Sequence, residues 1–87
     1  TSDVDFLMEQ IELREAVEAC RDAPDGLVQC HRIEDKLTRR AAELANEFVA
    51  CFAEGDLPGS VTISRKMQFI QRIQQQLDEL QFELEGR

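Results

Sequence analysis

The chain has 87 residues, 43% of them hydrophobic and 32% charged, with no Trp or Tyr and a formal net charge of −8. That length makes one small domain with a single modest core, and the acid excess leaves no basic face of the kind nucleic-acid binding requires. No apolar run approaches the roughly 18 residues of a membrane span and nothing resembles a signal peptide, so a cytosolic setting away from membranes is expected.

The first helix is expected from about Asp3 or Val4 to Arg21, with Ser2 or Asp3 as N-cap and acids in its first turn. At about 100° per residue, Phe6, Leu13, Val17 and Cys20 fall on one stripe, with Ala16 at its edge. Leu7, Met8 and Ile11 form a second cluster roughly opposite, with Glu12, Glu15 and Glu18 around it. A helix in a small bundle needs one stripe for the core. The second, rimmed by acids, reads as a docking surface for another protein. The charge distribution agrees: residues 1–22 hold seven acids and two bases, a net of −5, against −2 for residues 23–55 and −1 for residues 56–87. A solvated acidic face is the bland reading of such a run; beside an apolar patch that the core does not need, it points to a basic partner.

Asp22-Ala23-Pro24-Asp25 is a short link, so the second helix should return antiparallel to the first. That helix is expected from about Gly26 to Glu54, with Leu37, Ala41, Leu44, Phe48 and Cys51 repeating at spacings of four and three, and Ile33 and Leu27 extending the seam backwards. Gly55 should end it in the left-handed conformation. Asp56 can then cap a third helix with Pro58 in its first turn. The third helix is expected from about Leu57 to Glu85, with Ile63, Met67, Ile70, Ile73, Leu77, Leu80 and Leu84 as its seam, Phe69 at the seam's edge and Phe82 well away from it. No strand-like alternation or repeat interrupts this pattern. The expected fold is all-α: a three-helix bundle in which two long antiparallel helices carry a shorter first helix at one end.

Cys20, Cys30 and Cys51 are odd in number and lack Cys-x-x-Cys spacing, which argues against a disulfide framework. The single histidine, His31, diverges from its neighbour Cys30 on a helix. The three thiols read as small buried apolar residues, with no metal or cofactor of the chain's own. No paired carboxylates, Cys/His or Ser/His set has a catalytic spacing. Small helical enzymes such as the all-helical chorismate mutases need a cationic pocket, and here the Arg and Lys residues are scattered. An enzyme is not expected.

Two segments carry a family resemblance. Phe-Leu-Met-Glu-Gln-Ile-Glu-Leu-Arg-Glu at 6–15 is similar to the opening of the C-terminal domain of the HscB family, J-protein co-chaperones of bacterial iron–sulfur cluster assembly. Arg65-Lys66-Met67-Gln68-Phe69-Ile70-Gln71-Arg72-Ile73 resembles the Arg-Lys-Leu-x-Phe-Leu-x-Lys-Leu stretch of that family's last helix. Residues 22–60 match in helical pattern and length alone. The resemblance implies a cargo-binding module over residues 1–87 that holds an IscU-type cluster scaffold protein and brings it to an HscA-type Hsp70. It implies Leu7, Met8 and Ile11 as apolar contacts, Glu12 and Glu15 as acidic ones, and Phe69 as an aromatic one. Ile11 stands where a family relative has Leu, a volume-conserving change. Ala19 stands where a further acid is expected, with Glu18 beside it. The Hsp70 would be engaged through a J-domain preceding Thr1, because the chain has no His-Pro-Asp and His31 is followed by Arg32. From spacing alone a helix phenylalanine beside a core seam, as Phe69 is, is more often core than contact.

A homo-oligomeric helical adaptor is the nearest rival, since two chains could bury the second stripe of the first helix against each other. The heterologous reading expects a monomeric domain with that stripe exposed.

Overall fold

A computed structural model describes residues 2–86, and side chains from Val4 to Gly86. The N-cap expected at Ser2 or Asp3 lies outside the described side chains. Three helices follow one another: α1 (Ser2–Asp22), α2 (Gly26–Ala53) and α3 (Leu57–Glu85). Among the described residues there is no strand. The domain measures 49 × 21 × 15 Å, and its long dimension is that of a hairpin whose 29-residue α3 alone spans about 44 Å.

The α2–α3 turn shows how local chemistry sets this length. Gly55 takes φ +73°, a left-handed conformation that costs a glycine nothing. The turn it allows returns the Asp56 N–H to the Cys51 carbonyl at 2.9 Å and the Gly55 N–H to the Phe52 carbonyl at 3.1 Å. These two bonds form a Schellman closure of α2. Asp56 then caps α3, its carboxylate accepting from the Gly59 N–H at 3.0 Å, with Pro58 in the first turn. The α1–α2 joint, 29 residues earlier, uses glycine differently. A Cβ on Gly26 would stand 2.6 Å from the Cys20 carbonyl oxygen and 3.1 Å from Leu84 Cδ1. The end of α1 therefore passes the start of α2 at a distance only glycine permits.

The core is the expected seam joined by Cys30 and Phe69. Leu37 and Leu44 of α2 and Ile63, Ile70, Ile73, Leu77 and Leu80 of α3 are buried, with Ile33, Ala41, Phe48, Cys51, Met67 and Leu84 half-buried around them. From α1 come Leu13, Val17 and Cys20. Cys30 is 0% exposed beside Cys20, as its reading as a small buried residue expected. α1 runs antiparallel to α2, with Glu9 against Arg40 and Cys20 against Gly26. It covers the end of the hairpin built from the start of α2 and the finish of α3, leaving residues beyond about Arg40 and Lys66 as two helices without a third. Phe82 is 80% exposed, and nothing in the structure explains a phenylalanine there.

Leu44 lies where the hairpin is only two helices thick and is still 1% exposed. Leu44→Ala should destabilise the domain by about 2–4 kcal/mol through the cavity it leaves. A lowered urea midpoint is the expected reading, and an unchanged midpoint would show that the seam is wrongly placed.

Candidate functional site

α1 divides its side chains between two faces. Phe6, Leu13, Val17 and Cys20 point at the hairpin. On the opposite line Leu7 and Met8 are each 54% exposed and Ile11 is 48% exposed. Leu7 and Ile11 are neighbours at i, i+4 and Met8 and Ile11 at i, i+3, so the three form one contiguous patch over the first turns. The structure adds Val4, also 54% exposed, one turn before Met8. Its spacing from Met8 and Ile11 was a sufficient signal in the sequence.

Beyond Ile11 the same outward line becomes acidic, with Glu15 and Glu18 exposed on the following turns. Glu12 and Asp5 lie on the edge towards α2. There the patch borders a cleft of about 560 Å³, with Met8 and Glu12 on one wall and Lys36, Arg40 and Lys66 on the other. The edge towards α3 carries α1's two arginines, each engaged. Arg14 lies over the Phe69 ring at 5.6 Å, and Arg21 bonds Glu83 at 2.8 Å. The field of α1 that reaches solvent is therefore mostly that of its carboxylates.

A side chain on this helix with no part in the sequence expectations holds the patch in place. Glu9 takes both ends of the Arg40 guanidinium, at 2.7 Å from Nε and 3.2 Å from Nη2. Arg40 reaches Glu43 at 3.3 Å and Glu47 at 3.8 Å as well. Hydrogen bonding to Glu9 raises the affinity of the Arg40 guanidinium for its proton further. Glu9 and Arg40 are each 26% exposed, so this pair is less screened than an ordinary surface one and its two-point geometry fixes direction. It ties the first half of α1 to the middle of α2. The partners lie 31 residues apart, and no local pattern joins them.

Phe69 departs from expectation. It is 1% exposed and meets the Phe6 ring edge-on, with centroids 5.7 Å apart and planes at 88°. Phe6 in turn lies under Lys66 Nζ at 5.7 Å. Phe69 projects to the side of the hairpin that α1 covers, so the helix that carries the patch buries it. It is a seat for α1 rather than part of the exposed surface. Phe69→Ala should cost about 3–5 kcal/mol of stability, read as a lowered urea midpoint. Unchanged unfolding would return this ring to the surface.

Cys20 and Cys30 are fully buried and Cys51 half-buried. Burial, and then the neighbouring Cys20, pushes the Cys30 thiol up to about 11. Among the described residues no cluster of three or more His, Cys, Asp or Glu could hold a metal ion, and no helix is long and apolar enough to cross a membrane. A thiol reagent near neutral pH should label Cys51 first, with Cys20 and Cys30 reacting only on unfolding. Prompt labelling of all three in the folded domain would contradict this packing.

Residues 2–78 match the family model described as the HSCB C-terminal oligomerisation domain. Over 77 residues the chain is 38% identical to a curated relative, a co-chaperone protein HscB homolog of Aromatoleum aromaticum, covering 85% of this chain and 42% of the relative. The chain thus spans less than half the length of the relative it matches. No solved structure matches.

Proposed function

Because the chain belongs to the HscB family, to which it corresponds as a C-terminal domain, we propose that it is a cargo-binding module that holds an iron–sulfur scaffold protein of the IscU type. The observation that carries this reading is the patch of Leu7, Met8 and Ile11, half-exposed on a helix whose other face already fills the core. Glu12 and Glu15 supply its acidic contacts, and the surface suits a partner with an apolar centre and a basic flank. Met8 gives the centre the adaptability that a thioether chain provides. The role is recognition, with no catalytic step and no cofactor held by the chain. Delivery to an HscA-type Hsp70 would fall to a J-domain in the full-length protein, acting in the cytosol.

Self-association through the same stripe, the rival reading, would set Asp5, Glu12 and Glu15 of two copies against one another. Like charges facing across an interface oppose it, so this face is assigned to a different protein.

Thermal unfolding and titration with purified scaffold protein, on the same variants, test the assignment. Leu7→Ala and Ile11→Ala should each weaken binding by about 30-fold, the effect of losing a hot spot worth about 2 kcal/mol. Their melting temperatures should stay close to that of the parent, because exposed side chains add little to the core. Glu12→Gln and Glu15→Gln should mainly slow association and flatten its salt dependence. Shifted unfolding with unaffected binding would place the stripe in the core and defeat the reading.

A further inference from the structure

Scattered in the sequence, three cations of α2 fall into one line in the fold. Arg40 points at α1, where Glu9 holds it. At 100° per residue from the Leu37 seam, Lys36, Arg32 and Arg39 lie further round α2 on the same flank. They are neighbours at i, i+4 and i, i+3, so they form one strip about 10 Å long. All three are exposed. The ion pairs among the described residues belong to Arg21 and Arg40, so no carboxylate of the domain holds this strip. Asp35 borders it on the outer edge and pairs with none of the three, and Glu43 on the following turn is taken by Arg40. The result is a run of unpaired positive charge in a chain of net −8. Between the strip and the acidic edge of α1 lies the 560 Å³ cleft, with Met8 and Glu12 on one wall and Lys36 on the other. A smaller hollow of about 220 Å³ continues it past Lys36 to Arg39. Crossing outward from the α1 patch, the surface is therefore apolar, then acidic, then basic.

We propose that this basic strip is the second half of the docking surface, and that it takes an acidic band on the partner that the α1 patch binds. The inference rests on the cargo-binding reading of that patch and deepens it. Charge complementarity names the occupant. A partner that lays an apolar centre on Leu7 and Ile11 and a basic flank on Glu12 next faces Lys36 and Arg39, about one helix diameter further out. A carboxylate there completes pairs that the domain leaves open, whereas a further base would face like charge. The order of the bands also fixes orientation. An apolar centre alone would let the partner turn about the patch. Turned half round, its basic flank would meet Arg14, which is exposed on the α3 edge of α1. Only one orientation satisfies both charged bands, so Lys36 and Arg39 act as specificity-determining residues for the way the cargo is held.

Titration of the 87-residue chain with purified IscU-type scaffold protein tests this, with Leu7→Ala measured in parallel. Lys36→Glu combined with Arg39→Glu should weaken binding by about 10-fold or more. The melting temperature should stay close to that of the parent, because neither side chain is buried or paired. The sign of the effect is decisive. If the docking face were acidic throughout, added acid would tighten a basic partner, so equal or tighter binding overturns the proposal. Arg65→Glu combined with Arg72→Glu makes the same change in net charge on the exposed flank of α3, and it should cause no loss. A loss equal to that of the α2 variant would trace the effect to net charge and overturn the strip. If the α2 reversals disturb the helix, Lys36→Gln combined with Arg39→Gln should still weaken binding about 3-fold, and unchanged affinity there counts against the strip. The patch and the strip fail separately. Loss in Leu7→Ala without loss in the α2 variants removes the strip alone. Loss in the α2 variants without loss in Leu7→Ala keeps the strip and removes the patch.

Discussion

Two contacts seat α1 on the hairpin, and the rest of the molecule depends on that seating. The Phe6 ring stands edge-on to Phe69, and the Glu9 carboxylate grips Arg40 at two points. The first fixes depth and the second fixes rotation. With the helix held in that rotation, Leu13, Val17 and Cys20 must point inward, and Leu7, Met8 and Ile11 have nowhere to go but outward. A turn of α1 about its axis by even a quarter would bury half the patch and expose half the core stripe. The exposure of an apolar surface is thus held by buried and half-buried contacts behind it, which is how a rigid scaffold keeps a recognition surface ready without the partner's help.

Much of this was legible in the chain. The seam of α2 and α3 follows from spacings of three and four, and the turn at Gly55 from one residue that tolerates positive φ beside one that caps. The split of α1 into two faces followed from periodicity as well, with Leu7, Met8 and Ile11 outward and Val4 missed. Other features depend on which side of the hairpin α1 lies, and no local pattern contains that information. Phe69 is the instructive case: at the edge of its seam it could face solvent or the first helix, and only the position of α1 decides. Glu9 and Arg40 are separated by most of a helix hairpin in sequence, so their pairing is invisible until the chain is folded. The face of the hairpin opposite α1 is similar. Each helix alone shows a modest bias against charge there, and the charge-free surface exists only where two such biases lie alongside.

The hairpin therefore presents unlike surfaces on its two sides. Towards α1 the charges gather, paired within the domain where they meet Glu9, Arg40, Glu43 and Glu47, and turned to solvent along Glu12, Glu15 and Glu18. Away from α1 they are missing between Thr38 and Phe52 on α2 and between Leu57 and Gln75 on α3. Carboxylates that would attract a basic partner to α1 repel a second copy of this acidic chain from the same surface. The chain belongs to the HscB C-terminal domain family, and the physical division of α1 supplies an exposed apolar surface with an acidic border.

The central claim is that the outward line of α1 is the cargo-binding surface while its inward line holds the fold. Chemical-shift mapping of the labelled domain during titration with scaffold protein tests it most directly. The account predicts perturbations centred on Leu7, Met8, Ile11, Glu12 and Glu15, with the resonances of Ala45, Val49 and Phe52 unmoved. Perturbations centred on the open end of the hairpin, with α1 silent, would contradict it.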